Sequence, residues 1–287
     1  MKILVTGSKG QLGSKIKDLS VDFQSFSFSF TDLDELDITN FNSVLDFFKF
    51  EKPDIVINCA AYTAVDKAED DYENAFKINA LGPENLAKAC NVHNSKFIHI
   101  STDYVFDGKE REKPYLESDF TSPQSVYGST KLEGENLVLK NLQDAIIVRT
   151  AWLYSEYGHN FVKTMLNLAQ SRTELSVVND QVGSPTYAGD LAQAILQISM
   201  QYFEENYWKS GVYHFSNLGK CTWFEFAKEI FTIKNINIKV NPVTSEEFPS
   251  KVKRPKYSVL DKEKIITTYK IDVPDWRDSL KIVLEKL

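Results

Sequence analysis

The sequence predicts an α/β protein built on a doubly wound parallel sheet with a smaller C-terminal lobe. Three observations carry this expectation. Short apolar runs alternate with longer amphipathic stretches over the first 150 residues. Those runs are continuously apolar, as in strands covered on both faces. A glycine-spaced loop, Gly7-Ser8-Lys9-Gly10-Gln11-Leu12-Gly13, follows the first of them. Right-handed crossovers make such a sheet doubly wound, and its ligands bind beyond the carboxyl ends of the strands.

Taken in order, Lys2–Thr6 reads as a strand and Gln11–Leu19 as a helix. Residues 25–30 form the next strand, and residues 40–50 a helix capped by Thr39. Residues 54–59 (DIVINC) are a buried strand, 74–91 one helix and 96–101 (KFIHIS) another strand. A helix over 126–139 and a strand over 145–150 close this half. Beyond residue 150 the rhythm changes, with strands over 211–216 and 236–243 and helices over 190–203, 223–231 and 276–287. Residues 1–150 are thus expected to form one domain, and 151–287 mainly a smaller, irregular lobe with segments crossing back.

Composition narrows the function. With 287 residues, 43% of them hydrophobic, the chain can bury a sizeable core. A net charge of −7 without a basic stripe argues against nucleic acid. No apolar stretch approaches the roughly 18 residues of a bilayer span, and the start lacks signal-peptide character. Cys59, Cys90 and Cys221 form neither a Cys-x-x-Cys pair nor a zinc set, so they read as ordinary buried thiols of a cytoplasmic protein.

The glycine loop has G-x-x-G-x-x-G spacing, between a strand and a helix. Gly7, Gly10 and Gly13 permit a tight turn and close approach to a pyrophosphate, which meets the free N–H groups of a helix N-terminus. This Rossmann-like arrangement expects a carboxylate roughly 20 residues on for the adenosine ribose, and Asp32 fits. With no arginine near Asp32 or Asp37, the balance leans toward NADH over NADPH. Tyr127 and Lys131 share a helix face at i, i+4. An ammonium beside a phenol lowers the phenol's pKa and suits it to proton transfer, and the same lysine can bind the nicotinamide ribose. Ser101-Thr102-Asp103 sets hydroxyls at the end of the KFIHIS strand, within reach of a substrate carbonyl. His99, inside that strand, reads as a satisfied core histidine.

These residues resemble the extended short-chain dehydrogenase/reductases and, among them, the dTDP-4-dehydrorhamnose reductase family. The matching stretches are GSKGQLG (7–13), LDIT (36–39), NCAAYTAVDKAE (58–69), STDYVFDG (101–108), YGSTKLEGE (127–135), RTAWLY (149–154), NFVKTM (160–165), NDQVGSPTY (179–187) and RPKYS (254–258). The resemblance implies a reductase of a nucleotide-linked 4-keto sugar that uses NADH or NADPH and serves cell-surface polysaccharide synthesis. It implies that Gly10, Gln11 and Leu12 hold the pyrophosphate, that Asp37 and Ile38 flank the adenine, and that Ala60, Ala61, Tyr62 and Thr63 line the cofactor. Tyr127 would donate the proton, Lys131 would tune it, and Thr102 would polarise the same oxygen. Val65, Asp66, Asp103 and Trp152 would contact the sugar, with Asn160, Gln181 and Arg254 as further substrate contacts; Arg254's fork suits a diphosphate.

Some relatives dimerise through magnesium held by glutamates, one of them just after the glycine loop. Here that stretch reads Ser14-Lys15, and lysine is no magnesium ligand. The expectation is therefore a monomer or a metal-independent homodimer, with no metal in the reaction. Two other readings fit the same scaffold: a reductase or epimerase of another nucleotide-4-keto sugar, and a non-catalytic regulatory subunit such as the methionine adenosyltransferase partner.

Overall fold

A computed structural model describes residues 1–287. The strands are β1 (Lys2–Thr6), β2 (Ser27–Thr31), β3 (Ile55–Asn58), β4 (Lys96–Thr102), β5 (Ile146–Thr150), β6 (Leu153–Tyr154), β7 (Glu174–Val178), β8 (Val182–Gly183), β9 (Thr186–Tyr187), β10 (Gly211–His214), β11 (Cys221–Thr222) and β12 (Lys239–Val243). The helices are α1 (Gln11–Leu19), α2 (Phe41–Glu51), α3 (Val65–Ala68), α4 (Tyr72–Phe76), α5 (Gly82–His93), α6 (Val126–Asn141), α7 (Phe161–Ala169), α8 (Ala188–Glu205), α9 (Trp223–Ile233), α10 (Glu263–Tyr269) and α11 (Trp276–Glu285).

Six strands form one parallel sheet in the order β10-β5-β4-β3-β1-β2. The doubly wound α/β reading holds, and side-chain alternation shows why the strands are apolar on both faces. Ile3, Val5, Ile55, Ile57, Ile98, Ile146 and Val148 pack with apolar residues of α1, α8 and α10. Leu4, Val56, Phe97 and Ile147 face the other way, onto α2, α5 and α6. Because β1 has β2 on one side and β3 on the other, the winding reverses at β1. That reversal opens a crevice at the carboxyl ends of β1 and β3.

A separate core joins α7, β7, α9 and α11 through Val162, Met165, Leu175, Val177, Phe226, Ile230, Trp276 and Leu280. A small cluster of Val105, Phe106, Tyr115, Ala151, Tyr257, Val259 and Leu260 lies apart from both. The strand expected over 211–216 is β10, and it pairs with β5 inside the large sheet. Segments of 151–287 therefore return to the first half's architecture, with α8 and α10 covering the sheet as well. No helix is long and apolar enough to cross a membrane.

Local details correct the sequence reading. Asn40, not Thr39, caps α2, accepting from the Ser43 N–H at 3.2 Å. Thr39 donates instead to Asp37. The single helix expected over 74–91 is α4 and α5 joined by a π-helical turn at Lys77–Leu81. Asn79, within that turn, bonds Tyr62 and Thr130, and such turns mark places where a helix is opened for another purpose. Helices α7 and α10 and strand β7 lay outside the sequence reading altogether.

A buried ion pair fixes α6 to the sheet. Arg149 on β5 donates three hydrogen bonds to Glu135 on α6, at 2.9, 3.2 and 2.6 Å, and Ser101 on β4 donates to the same carboxylate at 2.5 Å. Removing one partner strands a buried charge. Arg149→Met should therefore cost about 3–5 kcal/mol of stability, read from the denaturant midpoint. A loss no larger than that of an exposed lysine substitution would contradict this account.

Candidate active site

The glycine loop lies at the crevice. Gly7 has φ 66°, and a Cβ there would sit 2.6 Å from the Ala60 nitrogen. A Cβ on Gly13 would sit 2.6 Å from the Ser8 Cα. Only glycine allows this turn to close against the end of β3 and the start of α1. Gly10 is the N-cap of α1 and no side chain caps the helix. A bare helix N-terminus in a glycine cradle fits the phosphates of a dinucleotide.

Asp32 accepts the Lys9 N–H at 3.0 Å and the Leu33 N–H at 2.9 Å, tying the loop to the end of β2. The Lys9 ammonium pairs with Asp34 at 2.9 Å. Asp37 is engaged with Thr39, and Ile38 is buried, its carbonyl accepting from Asn85 at 3.0 Å. Gln11 reaches into the second half: its amide oxygen accepts from Ser155 at 3.1 Å and Asn160 at 3.0 Å, and its nitrogen donates to the Leu153 carbonyl. Leu12 packs into the core behind it.

After β3, Ala60 and Ala61 run half-buried along the crevice and Thr63 is exposed. The Tyr62 N–H donates to Asn79 Oδ1 at 2.8 Å, and Asn79 Nδ2 returns a bond to the Tyr62 carbonyl. This reciprocal pair holds the segment rigid.

Tyr127 lies one residue into α6, whose N-cap Ser125 accepts from the Gly128 N–H at 3.1 Å. Gly128 lets the helix press onto the Tyr104 carbonyl. The Tyr104 ring meets Tyr127 edge-on at 5.4 Å. Burial raises the Tyr127 pKa well above the usual tyrosine value, and the Thr102 hydroxyl beside it offsets part of the rise. Thr102 donates to Asp103 Oδ1 at 3.0 Å. Asp103 is buried with Oδ2 unpartnered, and burial lifts its pKa to about 7. Arg254 donates to the Tyr104 hydroxyl at 3.1 Å and to Asp66 at 2.5 Å. The strand-end and helix residues expected for the chemistry thus converge with two of the expected substrate residues. A cavity of about 180 Å³ opens beside Tyr104 and Arg254, lined also by Lys109, Lys253 and Lys256.

Lys131 departs from expectation. Its ammonium donates to the Ile100 carbonyl at 2.6 Å and lies 3.5 Å from His99 Nε2. Burial lowers its pKa to about 8, opposed by Glu135. The phenol of Tyr127 is thus raised by burial rather than lowered by this ammonium, which donates instead to the main chain below it. His99 is a core residue with its ring wired to Lys131, a link that strand periodicity cannot reveal.

The remaining predicted residues are dispersed. Trp152 has φ 48°, a strained conformation for a bulky residue, and stacks on Trp223 with ring centroids 3.4 Å apart. Asn160 caps α7 and donates to Gln11 and to the Ser155 and Tyr157 carbonyls, so its amide is fully engaged beside the glycine loop. Gln181 is buried and donates to Ser245 at 2.9 Å. Val65 opens α3, half-buried. Lys15 is buried between Glu156 and Asp18, both at 2.9 Å, and these bonds hold its pKa up although burial works against it. Sequence reasoning missed Asn58, Asn79, Tyr104 and Trp223; of these, Asn58 and Tyr104 lay inside the NCAAYTAVDKAE and STDYVFDG stretches already singled out.

Comparison with known proteins agrees with this geometry. The model of the RmlD substrate binding domain matches residues 1–287. A dTDP-4-dehydrorhamnose reductase of Aggregatibacter actinomycetemcomitans is 42% identical, over 98% of this chain and 97% of its own length. A crystal structure of a dTDP-4-dehydrorhamnose reductase from Clostridium acetobutylicum superposes with a TM-score of 0.93 at 47% identity, covering 100% of this chain and 99% of the other. One from Bacillus anthracis, in complex with NADP, gives 0.94 at 40% identity with the same coverage. The chain belongs to the RmlD substrate binding domain family, the family of the dTDP-4-dehydrorhamnose reductases.

Proposed function

We propose that the chain reduces the C4 keto group of dTDP-4-dehydro-L-rhamnose with NADH or NADPH, giving dTDP-L-rhamnose for cell-surface polysaccharide. The observation that carries this reading is the convergence of Tyr127, Thr102 and Asp103 beside a glycine cradle suited to a dinucleotide. The nicotinamide, when bound, supplies the hydride that reaches C4. The chain's own residues manage the oxygen. Thr102 donates a hydrogen bond to it, and Tyr127, kept protonated at neutral pH by burial, hands over the proton as negative charge develops. The resulting phenolate is stabilised by the charge of Lys131 one helical turn away. Gly7, Gly10, Gln11, Leu12 and Gly13 hold the pyrophosphate, Asp32, Asp37 and Ile38 the adenosine, and Ala60 to Thr63 the nicotinamide side. Asp66, Asp103, Trp152 and Arg254 take the sugar nucleotide, with Val65, Asn160 and Gln181 supporting the walls. Arg254 would exchange Asp66 for a substrate phosphate, which its bidentate fork suits.

The reading carries a cytoplasmic location, supported by three free thiols. It also carries a monomer or a homodimer made without metal: where a bridging carboxylate would stand, Lys15 already neutralises Glu156 and Asp18. Chelator treatment should leave activity and mass unchanged, by assay and light scattering; loss of either overturns this part.

Nicotinamide absorbance with dTDP-4-dehydro-L-rhamnose, run with each cofactor and against UDP- and GDP-linked 4-keto sugars, tests the substrate. Tyr127→Phe should bind cofactor as tightly as the parent yet lose about 10²–10⁴-fold in kcat. An unchanged rate would sink the mechanism. Because the Lys131 pKa is depressed to about 8, its ammonium is present below that pH and lost above it. The rate of reduction should therefore fall as pH rises through about 8, and a flat profile there would count against a charged Lys131.

A further inference from the structure

A buried file of polar side chains runs beneath the crevice to Lys131, and its central member has no part in the reaction described above. Thr6 Oγ1 donates to Asn58 Oδ1 at 2.6 Å, and the Ala60 N–H donates to the same oxygen at 3.1 Å. Asn58 Nδ2 lies 3.0 Å from His99 Nδ1, and His99 Nε2 lies 3.5 Å from Lys131 Nζ. Thr6, Asn58, His99 and Lys131 are 1%, 0%, 0% and 2% exposed, so water does not compete for these contacts.

The order of donors fixes where the imidazole carries its proton. Two donors converge on Asn58 Oδ1, which makes that atom the carbonyl oxygen and Nδ2 the amide donor. His99 Nδ1 must therefore accept. Burial and the Lys131 charge keep the ring neutral, its pKa well below the usual histidine value. A neutral imidazole has one proton, here on Nε2, aimed at Lys131. An N–H facing an ammonium forms no hydrogen bond, whereas the same N–H facing an amine donates to its lone pair.

We propose that His99 is a positioning residue whose Nε2–H faces Lys131 and biases it toward the neutral amine. The proposal rests on the reading of Tyr127 and Lys131 given above. Other titratable groups around the lysine do not supply this bias. Cys59, at the end of β3, is kept a thiol by burial, its pKa pushed up to about 12. Glu135, one turn further along α6, favours the ammonium and is itself paired with Arg149. On the β4 side the lysine meets the Ile100 carbonyl, an acceptor that serves either protonation state. Apart from burial, His99 is the side chain that opposes the charge. It thereby helps to set the pH at which the lysine loses the charge that stabilises the Tyr127 phenolate.

Two measurements test this. In the intact protein, ¹⁵N NMR of the histidine rings should show His99 protonated at Nε2 and bare at Nδ1; the opposite tautomer or a charged ring overturns the proposal. His99→Gln offers an amide oxygen that accepts from the ammonium, so the alkaline limb of the kcat/KM pH profile should move up by about half a unit to one unit. A folded variant whose limb stays in place overturns the proposal. If the variant does not fold, the tautomer measurement decides alone. With Tyr127→Phe run in parallel, a dead phenylalanine variant beside an unmoved His99→Gln limb rejects only the role of His99. An active Tyr127→Phe rejects the underlying mechanism.

Discussion

Everything at the crevice depends on one contact between stretches of main chain, Gly7 against the Cys59–Ala60 peptide. No side chain fits there, since a methyl at Gly7 would lie 2.6 to 2.8 Å from three backbone atoms. The turn at φ 66° is therefore bound to glycine, and it sets how near the start of α1 comes to the end of β3. That spacing decides where a phosphate can meet free N–H groups. It also places the Ala60–Thr63 segment across the crevice from the loop.

The reacting groups are aligned by buried polarity rather than by apolar packing alone. Glu135 and Arg149 lock α6 to β5, Ser101 ties the same carboxylate to β4, and the π-turn at Asn79 braces α6 through Thr130. Such pairs add little net stability over apolar replacements but are costly to break singly. Their effect is register: Tyr127 is held over the end of β4, beside Thr102 and Asp103. A low-dielectric site then shifts each group's pKa in the direction that keeps it neutral, Tyr127 and Asp103 upward and Lys131 downward.

Much of this was legible in the sequence. Continuous apolar runs mark strands covered on both faces, and β1, β3, β4 and β5 fell where those runs lie. The glycine spacing and the Tyr127/Lys131 pair were readable because their meaning is local, fixed by a turn or by one helical repeat. What escaped was non-local. Nothing in residues 211–214 says that they pair with β5 across more than 60 positions of chain. The partners of Arg254 stand at Asp66 and Tyr104, and those of Lys131 at Ile100 and His99; a pattern of residue types does not announce either set. The helix expected over 74–91 is unbroken, but periodicity carries no sign of the π-turn at Lys77–Leu81 from which Asn79 bonds Tyr62 and Thr130.

Gln11 joins the phosphate loop to the other half of the molecule with three hydrogen bonds, to Leu153, Ser155 and Asn160. Asn160 in turn caps α7, so the helix N-termini on opposite walls are linked through a single amide. The loop cannot shift without disturbing that cap, and the cap cannot fray without loosening the loop. The gap between the walls is thus a built-in dimension of the chain, set before any guest arrives, and a change in one wall is transmitted as strain to the other.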